Sequence, residues 1–96
     1  MLIFVLYDIS DNLSRSNFIK KLRFYGLKRI QKSVFSGFLN IEERLDLINE
    51  FDLFLSSEND SIVLIPICES CRKSISFEGN LKLPKKEKYI FLWFLY

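Results

Sequence analysis

A chain of 96 residues provides for one small domain, and a hydrophobic content of 49% is enough for a packed core. Histidine is absent, which excludes serine or cysteine hydrolase triads and His-ligated zinc. The longest apolar runs, 2–7 and 89–96, are far shorter than the roughly 18 residues that a membrane-spanning helix needs. Because the N-terminus also lacks the features of a signal peptide and there are only two cysteines, we expect a reduced, cytoplasmic protein without a membrane partner.

The formal net charge of +2 is distributed unevenly along the chain. Residues 1–40 carry a net charge of +5, residues 41–60 a net charge of −6, and residues 61–96 a net charge of +3. This distribution is typical of a protein that binds a polyanion on one face and exposes another face to water or to a second protein. Ordinary solvated helix faces would give the same pattern.

The hydrophobic pattern predicts alternating strands and helices. Short runs rich in β-forming residues predict strands, and apolar residues repeated at three and four positions predict helices. The predicted elements are a strand at 2–7, a helix at 12–25, one long strand or two short ones within 28–39, a helix at 41–55, a strand at 61–67, a shorter strand at 74–78 and a last strand at 89–96.

Local signals define the ends and faces of these elements. Gly26 is expected to stop the first helix, and Asn40 with Glu43 forms a capping signature before the second. Gly37 indicates a bulge or a close approach. The predicted core faces are Phe18, Ile19, Leu22 and Tyr25 on the first helix, and Leu45, Ile48, Phe51 and Leu55 on the second.

This order of elements predicts an α+β fold, a ferredoxin-like βαββαβ sandwich with both helices on one face of the sheet and an extra C-terminal strand. The strands at 2–7, 61–67 and 89–96 are apolar at nearly every position, so the second face of the sheet also needs cover. We therefore expect a homodimer. We expect residues 1–80 to form the domain and residues 81–96 to form a linker and a strand that pairs with a sheet edge of the partner.

Asp8, at the end of the first strand, is the strongest candidate for a metal-binding or catalytic residue. Mg²⁺ binds carboxylate oxygens and keeps several waters, and a dimer could supply two Asp8 side chains across its axis. Without histidine, hydrolysis of a phosphodiester would need a metal ion to activate the attacking water. The alternative is an ordinary turn-forming aspartate after a strand.

Other polar and aromatic residues surround this position in the sequence. Ser10 and Asp11 could form outer-sphere hydrogen bonds to a metal, although capping of the first helix is the simpler use. Phosphate contacts and stacking surfaces could come from Arg15, Arg29, Lys32, Tyr7 and Phe35, each of which could equally be a solvated charge or a core aromatic.

Cys68 and Cys71 form a C-x₂-C pair. A zinc site needs four ligands, and the chain has neither a second pair nor a histidine. The pair could hold a metal shared across a dimer, could be a redox pair, or could be two plain thiols.

Three ordered segments resemble the motifs of the CRISPR-associated Cas2 family, the small subunit of the spacer-acquisition machinery. They are YDISD at residues 7–11, YGLKRIQKSVFSG at residues 25–37, and DSIVLIPICESC at residues 60–71. The resemblance covers roughly residues 1–80 and weakens over the last sixteen.

The resemblance implies a ferredoxin-like homodimer with a metal-dependent endonuclease activity on single-stranded RNA or double-stranded DNA, with Mg²⁺ as the expected cofactor. By this resemblance Asp8 is the metal ligand, and Tyr7 and Ser33 are the nearby hydroxyl-bearing catalytic positions. The nucleic-acid-binding positions are Arg15, Arg29 and Phe35, together with the neighbouring Lys32.

Three functions are considered for a protein with this fold. The first is a Mg²⁺-dependent nuclease that uses paired Asp8 carboxylates. The second is a non-catalytic DNA-binding scaffold that bridges dimers of the Cas1 integrase during spacer integration, as the resemblance also implies. The third, a plain RNA-binding module, is disfavoured because residues 36–39 lack the alternating aromatic pattern that stacks bases in such folds.

Overall fold

The computed structural model describes residues 1–85. The elements in chain order are β1 (Leu2–Asp8), α1 (Asn12–Phe24), β2 (Lys28–Gln31), β3 (Val34–Phe38), α2 (Ile41–Glu50), a 3-10 turn (Phe51–Phe54), β4 (Ser61–Ile67) and α3 (Glu69–Lys73). The predicted last strand at 89–96 lies outside the described residues, and the division of the chain at residue 80 stays a prediction.

The four strands form one sheet in the order β2-β3-β1-β4, with every neighbouring pair antiparallel. β1 is central: it pairs with β3 from Leu2 to Leu6 and with β4 along its whole length. The segment 28–39 is therefore two strands, joined at the turn Lys32-Ser33. The α+β class is confirmed.

The core lies between one face of this sheet and the helices. Alternate residues of β1 are buried, because successive side chains of a strand point to opposite faces. Sheet, helices and connecting loops all contribute buried residues to one cluster: Ile3, Val5, Tyr7, Ile9, Phe18, Leu22, Leu27, Phe35, Leu39 and Leu47.

The opposite face of the sheet is apolar and only partly covered. Leu6, Val63 and Ile65 are exposed there at 37%, 48% and 42%, and they share a face because Leu6 pairs with Val63 and Phe4 pairs with Ile65. We call Phe4, Leu6, Val63 and Ile65 the open sheet face. Its exposure matches the expectation that this face needs further cover.

Two glycines occupy positions that no other residue fits easily. Gly26 has a φ of +82° just after α1, where a side chain would be strained, so it ends the helix as predicted. Gly37 packs against Leu27: a Cβ atom at this position would lie 2.6 Å from Leu27 Cδ2. The predicted close approach is confirmed, and it lets β3 pack directly against the segment that follows α1.

The predicted core face of the second helix is right only for Phe51. Leu45, Ile48 and Leu55 are exposed, whereas Leu47 is fully buried and Phe51 and Phe54 are partly buried against the core. Leu47, Phe51 and Phe54 are also spaced four and three positions apart, so the sequence contains two apolar stripes. The helix also ends earlier than predicted, because residues 51–54 tighten into a 3-10 turn.

The predicted strand at 74–78 is also wrong. The chain turns helical after β4, where the N–H of Arg72 donates to the carbonyl of Cys68 at 2.8 Å and the N–H of Ser74 to that of Cys71 at 3.0 Å. Residues 75–78 join no ladder, and the sequence analysis did not predict α3. No helix within residues 1–85 is long and apolar enough to cross a membrane.

Candidate metal and nucleic-acid site

Asp8 is exposed at the end of β1, opposite Ser61 of β4. The two-residue period of the strand puts Tyr7 in the core and Asp8 on the same side as Leu6. Asp8 therefore lies at one end of the open sheet face. Within residues 1–85 its carboxylate has no hydrogen bond or ion pair, so its oxygens are available to a ligand.

Tyr7 ties the β2–β3 turn to the end of β1. Its ring is 5% exposed and packs edge-on against Phe18, with ring centroids 5.5 Å apart. Its hydroxyl donates to the carbonyl of Lys32 at 3.3 Å, and its N–H donates to the carbonyl of Ser33 at 3.1 Å. These contacts place the turn that carries Lys32 and Ser33 beside Asp8.

Arg15 lies on the first turns of α1 and reaches back to the loop after Asp8. Its Nη1 donates to the carbonyl of Ile9 at 3.0 Å, and its Nη2 donates to Oδ1 of Asn12. A guanidinium has five N–H donors, so part of the fork stays available for a phosphate. The residue is thereby held close to Asp8 in the fold.

Arg29 and Phe35 form a stacked pair on neighbouring strands. The Cζ of Arg29 lies 5.3 Å from the centroid of the Phe35 ring, and the Cζ of Arg23 lies 6.0 Å from it. The ring itself is fully buried, so the surface that a nucleic acid would meet is the guanidinium. The Phe35 ring and the Arg29 guanidinium thus form a cation–π contact.

Ser10 and Asp11 have different roles in the structure. The carboxylate of Asp11 accepts from the N–H of Ser14 at 2.8 Å and caps α1, and hydrogen bonds from the backbone and then the side chain of Ser14 lower the pKa of Asp11. Ser10 instead turns toward the loop before β4, where Asp60 accepts from its N–H at 3.0 Å and from its hydroxyl at 2.9 Å.

The carboxylate of Asp60 accepts hydrogen bonds from residues of two loops. We call Asp60, together with Ser10, Ser56 and Ser57, the Asp60 clamp. Its oxygens also accept from the N–H of Ser56 at 2.7 Å, from the Ser56 hydroxyl and from the Ser57 hydroxyl at 2.9 Å. These donors, led by the Ser56 hydroxyl, hold the pKa of Asp60 well below its usual range. The clamp locks the loop after Asp8 to the start of β4.

The sequence alone does not reveal this clamp. It shows Asp60 at the start of a family-like motif and residues 56–60 between a predicted helix and a predicted strand. The available signal was local: Ser56, Ser57 and Asp60 match a turn in which a carboxylate accepts from residues three and four positions earlier. The participation of Ser10, fifty residues away, is visible only in the fold.

One end of the sheet therefore collects most of the predicted site residues. The end of β1 brings Asp8, the adjoining turn brings Lys32 and Ser33, and α1 brings Arg15. Within residues 1–85 no group of three or more acidic, cysteine or histidine side chains could hold a metal. The carboxylates of Asp11 and Asp60 at this end accept hydrogen bonds from the protein, so Asp8 is the carboxylate that stays available there. The pair Cys68 and Cys71 lies beyond the other end of β4 and is not part of this site.

Comparison with known proteins identifies relatives. The model of the family described as CRISPR associated protein Cas2 matches residues 1–75. The CRISPR-associated endoribonuclease Cas2 1 of Archaeoglobus fulgidus is 42% identical over 80 residues, which are 83% of this chain and 85% of the relative. The CRISPR-associated endoribonuclease Cas2 of Mycobacterium tuberculosis is 31% identical over 91 residues, 95% of this chain and 77% of the relative.

A solved structure shows the same fold. The crystal structure of Streptococcus pyogenes Cas2 at pH 6.5 superposes with a TM-score of 0.68 at 21% sequence identity, covering 82% of this chain and all of that one. The family match includes β1, the β2–β3 hairpin and β4, the elements that place Asp8, Ser33 and Asp60. This chain belongs to the CRISPR-associated Cas2 family.

Proposed function

We propose that this protein is a Mg²⁺-dependent endonuclease of CRISPR adaptation, acting as a homodimer on phosphodiester bonds of single-stranded RNA or double-stranded DNA. The observation that carries the proposal is the exposed Asp8 at the end of β1, beside the loop that Arg15 contacts and the turn that carries Lys32. A free carboxylate with cations nearby suits a metal-assisted phosphodiesterase. The relatives named endoribonuclease support the same reading.

The donor set at Asp8 fits Mg²⁺ if two chains contribute. Mg²⁺ binds proteins through one or two carboxylates and retains waters, so it does not need a cage of protein ligands. Asp8 supplies one free carboxylate per chain, and its place on the open sheet face directs it toward a second copy that packs on that face. When bound, the ion would supply Lewis-acid activation of the scissile phosphate and the attacking water.

The dimer follows from the open sheet face. Phe4, Leu6, Val63 and Ile65 form a continuous apolar surface, and burying it against the same surface of a second chain would be isologous. The strand order β2-β3-β1-β4, with the helices packed on one face of the sheet, supports the ferredoxin-like plan for each protomer. The two Asp8 carboxylates meet in such a pairing only if the twofold axis passes near the Asp8 end of the face, and we propose that it does.

The other residues of the site bind and orient the nucleic acid. Arg15 and Lys32 offer N–H donors to phosphate oxygens near Asp8, and Arg29 presents its guanidinium from the edge strand β2. Tyr7 and Ser33, proposed as catalytic by resemblance, contribute here by holding the turn in place. These contacts would position the scissile phosphate and leave its cleavage to the water activated at Asp8.

A second function, a DNA-binding scaffold that bridges Cas1 dimers, is favoured by the sparse donor set. One carboxylate per chain is a minimal metal site, whereas the net charge of +5 over residues 1–40 would bind a DNA backbone without any metal. The two functions need the same dimer and the same basic residues. They differ only in whether Asp8 is required.

Asp8→Asn separates the two functions, with Asp46→Asn on α2 as the matched control. Labelled single-stranded RNA and double-stranded DNA are incubated with each protein in Mg²⁺ or in EDTA. We expect cleavage that requires Mg²⁺, that is unchanged in Asp46→Asn, and that falls by more than the about 10- to 100-fold typical of outer-shell changes in Asp8→Asn.

The other outcomes are equally informative. Binding of DNA by both variants without cleavage by the wild-type protein would reject the nuclease and support the scaffold. Cleavage that survives in Asp8→Asn would reject Asp8 as the metal ligand. Cleavage of one nucleic acid alone would identify the substrate.

A further inference from the structure

Cys68 and Cys71 lie at the end of the sheet opposite Asp8. Cys68 directly follows Ile67, which pairs with Leu2 at the start of β1, whereas Asp8 pairs with Ser61 at the other end of β4. A strand of that length spans roughly 20 Å. Both thiols are free and exposed, and neither takes part in the proposed nuclease chemistry.

A hydroxyl lies beside the sulfur of Cys68. The Oγ of Ser70 is 3.3 Å from this sulfur. The nearby Arg72 pairs with Glu69, its Nε donating at 3.1 Å, so this cation is already partnered. A hydrogen bond from the Ser70 hydroxyl to the sulfur stabilises the Cys68 thiolate.

These contacts make the two thiols unequal. Hydrogen bonds from Ser70 and Cys71 lower the pKa of Cys68 to about 7, while donation of its own proton to Cys68 raises the pKa of Cys71. Near neutral pH Cys68 is therefore substantially ionised and Cys71 is a protonated neighbour. An exposed thiolate of this kind is the nucleophile of thiol–disulfide exchange.

The positions of the two residues also permit a bond between them. Cys68 is the residue that caps α3, and Cys71 lies three positions later in its first turn. Residues three apart on a helix have Cβ atoms about 5–6 Å apart. A side-chain rotation and a small shift of the backbone bring two such residues to disulfide geometry.

We propose that Cys68 and Cys71 are a redox-active dithiol, oxidised reversibly to an intramolecular disulfide by a small-molecule disulfide of the glutathione type. The Cys68 thiolate attacks one sulfur of the oxidant, forming a mixed disulfide and releasing one thiolate. Cys71 then loses its proton to solvent and attacks the Cys68 sulfur, releasing the second. The dithiol loses two electrons, and the oxidant is reduced to two thiols.

Binding of a soft metal ion is the alternative role for such a pair of thiols. Two thiols complete only half of a tetrahedral site, and no group of three or more suitable ligands exists within residues 1–85. The redox role is therefore the one that this pair supports.

The test uses the full-length protein and oxidised glutathione, with products identified by intact-mass spectrometry. The wild-type protein should lose the mass of two hydrogens and return to the starting mass with dithiothreitol. Cys71→Ser should stop at a one-glutathione adduct. Cys68→Ser should react more slowly than Cys71→Ser by about tenfold or more at pH 7, because its remaining thiol is mostly protonated.

Two further measurements test the thiol chemistry separately from misfolding of a variant and from the proposed nuclease function. Alkylation of Cys68 in Cys71→Ser should follow the thiolate fraction, and Ser70→Ala should shift its midpoint to higher pH. Asp8→Asn should oxidise like the wild-type protein. The proposal is overturned by equal rates for the two single variants, by a stable mixed disulfide in the wild-type protein, or by disulfide-linked dimers as the main product.

Discussion

Asp60 shows how a single side chain can organise the loops around a site. It accepts hydrogen bonds from Ser10 in the loop after β1 and from Ser56 and Ser57 in the loop before β4. Each bond is made to an ionised oxygen, and such bonds are stronger than those between neutral groups. The clamp therefore holds the loop that follows Asp8 without contributing to the apolar core.

The clamp predicts an acid-dependent loss of stability that Asp60→Asn removes. Because the pKa of Asp60 is lowered in the folded protein, the unfolded chain binds more protons as the pH falls below the ordinary aspartate pKa of about 3.9. The stabilisation is complete above that pH and is lost progressively below it. We expect Asp60→Asn to be less stable than the wild-type protein at pH 7 and the difference to shrink below about pH 4.

Urea unfolding followed by fluorescence at several pH values measures this difference. Glu58→Gln is the control, since Glu58 is exposed in the same loop and makes none of the clamp hydrogen bonds. A constant difference between Asp60→Asn and the wild-type protein from pH 7 to pH 3 would contradict the prediction.

At the scale of elements, α2 begins with a complete capping box. The side chain of Asn40 accepts from the N–H of Glu43 at 2.8 Å, and the Glu43 carboxylate accepts from the N–H of Asn40 at 3.0 Å. The first turn also carries Glu42, whose charge complements the N-terminal end of the helix. With only Leu47 fully buried on this helix, its start depends strongly on the cap.

Asn40→Ala should lower the free energy of unfolding by about 0.5–2 kcal/mol, because it leaves the first N–H groups of α2 without an acceptor. Asn40→Asp should recover most of this loss, since aspartate caps as well as asparagine. Asn49→Ala, at an exposed position on the same helix, should change stability little. Chemical denaturation of the four proteins tests the prediction, and equal losses in Asn40→Ala and Asn49→Ala would disprove it.

The small size of the molecule limits its stability. A domain of this length buries roughly 65% of the surface of its unfolded chain, so an uncovered apolar sheet face is costly. Here the helices cover one face, and the open sheet face retains exposed Leu6, Val63 and Ile65. A second copy packed on that face would cover it.

Val63→Asp should convert the expected dimer to a monomer. The substitution puts a carboxylate in the centre of the open sheet face, where burial of an unpaired charge costs several kcal/mol and raises the dissociation constant by roughly 100-fold or more. Leu53→Asp, at an exposed position on the 3-10 turn, is the matched control and should stay dimeric. Sedimentation equilibrium measures the mass, and a dimeric Val63→Asp would show that this face is not the interface.

Features that depend on neighbouring residues could be predicted from the sequence. The C-terminal end of α1 follows from Gly26, and the start of α2 follows from the Asn40–Glu43 box. The motif around Asp8 likewise indicated the family. These features are local, and their energies are contained within a few residues.

The tertiary structure alone decided what depends on distant contacts. Leu47 is buried in preference to Leu45 and Ile48 because the packing of α2 on the sheet selected one of two apolar stripes. Ser10 joins Asp60 across fifty residues, and the buried ring of Phe35 supports Arg29 from the next strand. No local pattern encodes these pairings, because their energies exist only once the sheet has brought the partners together.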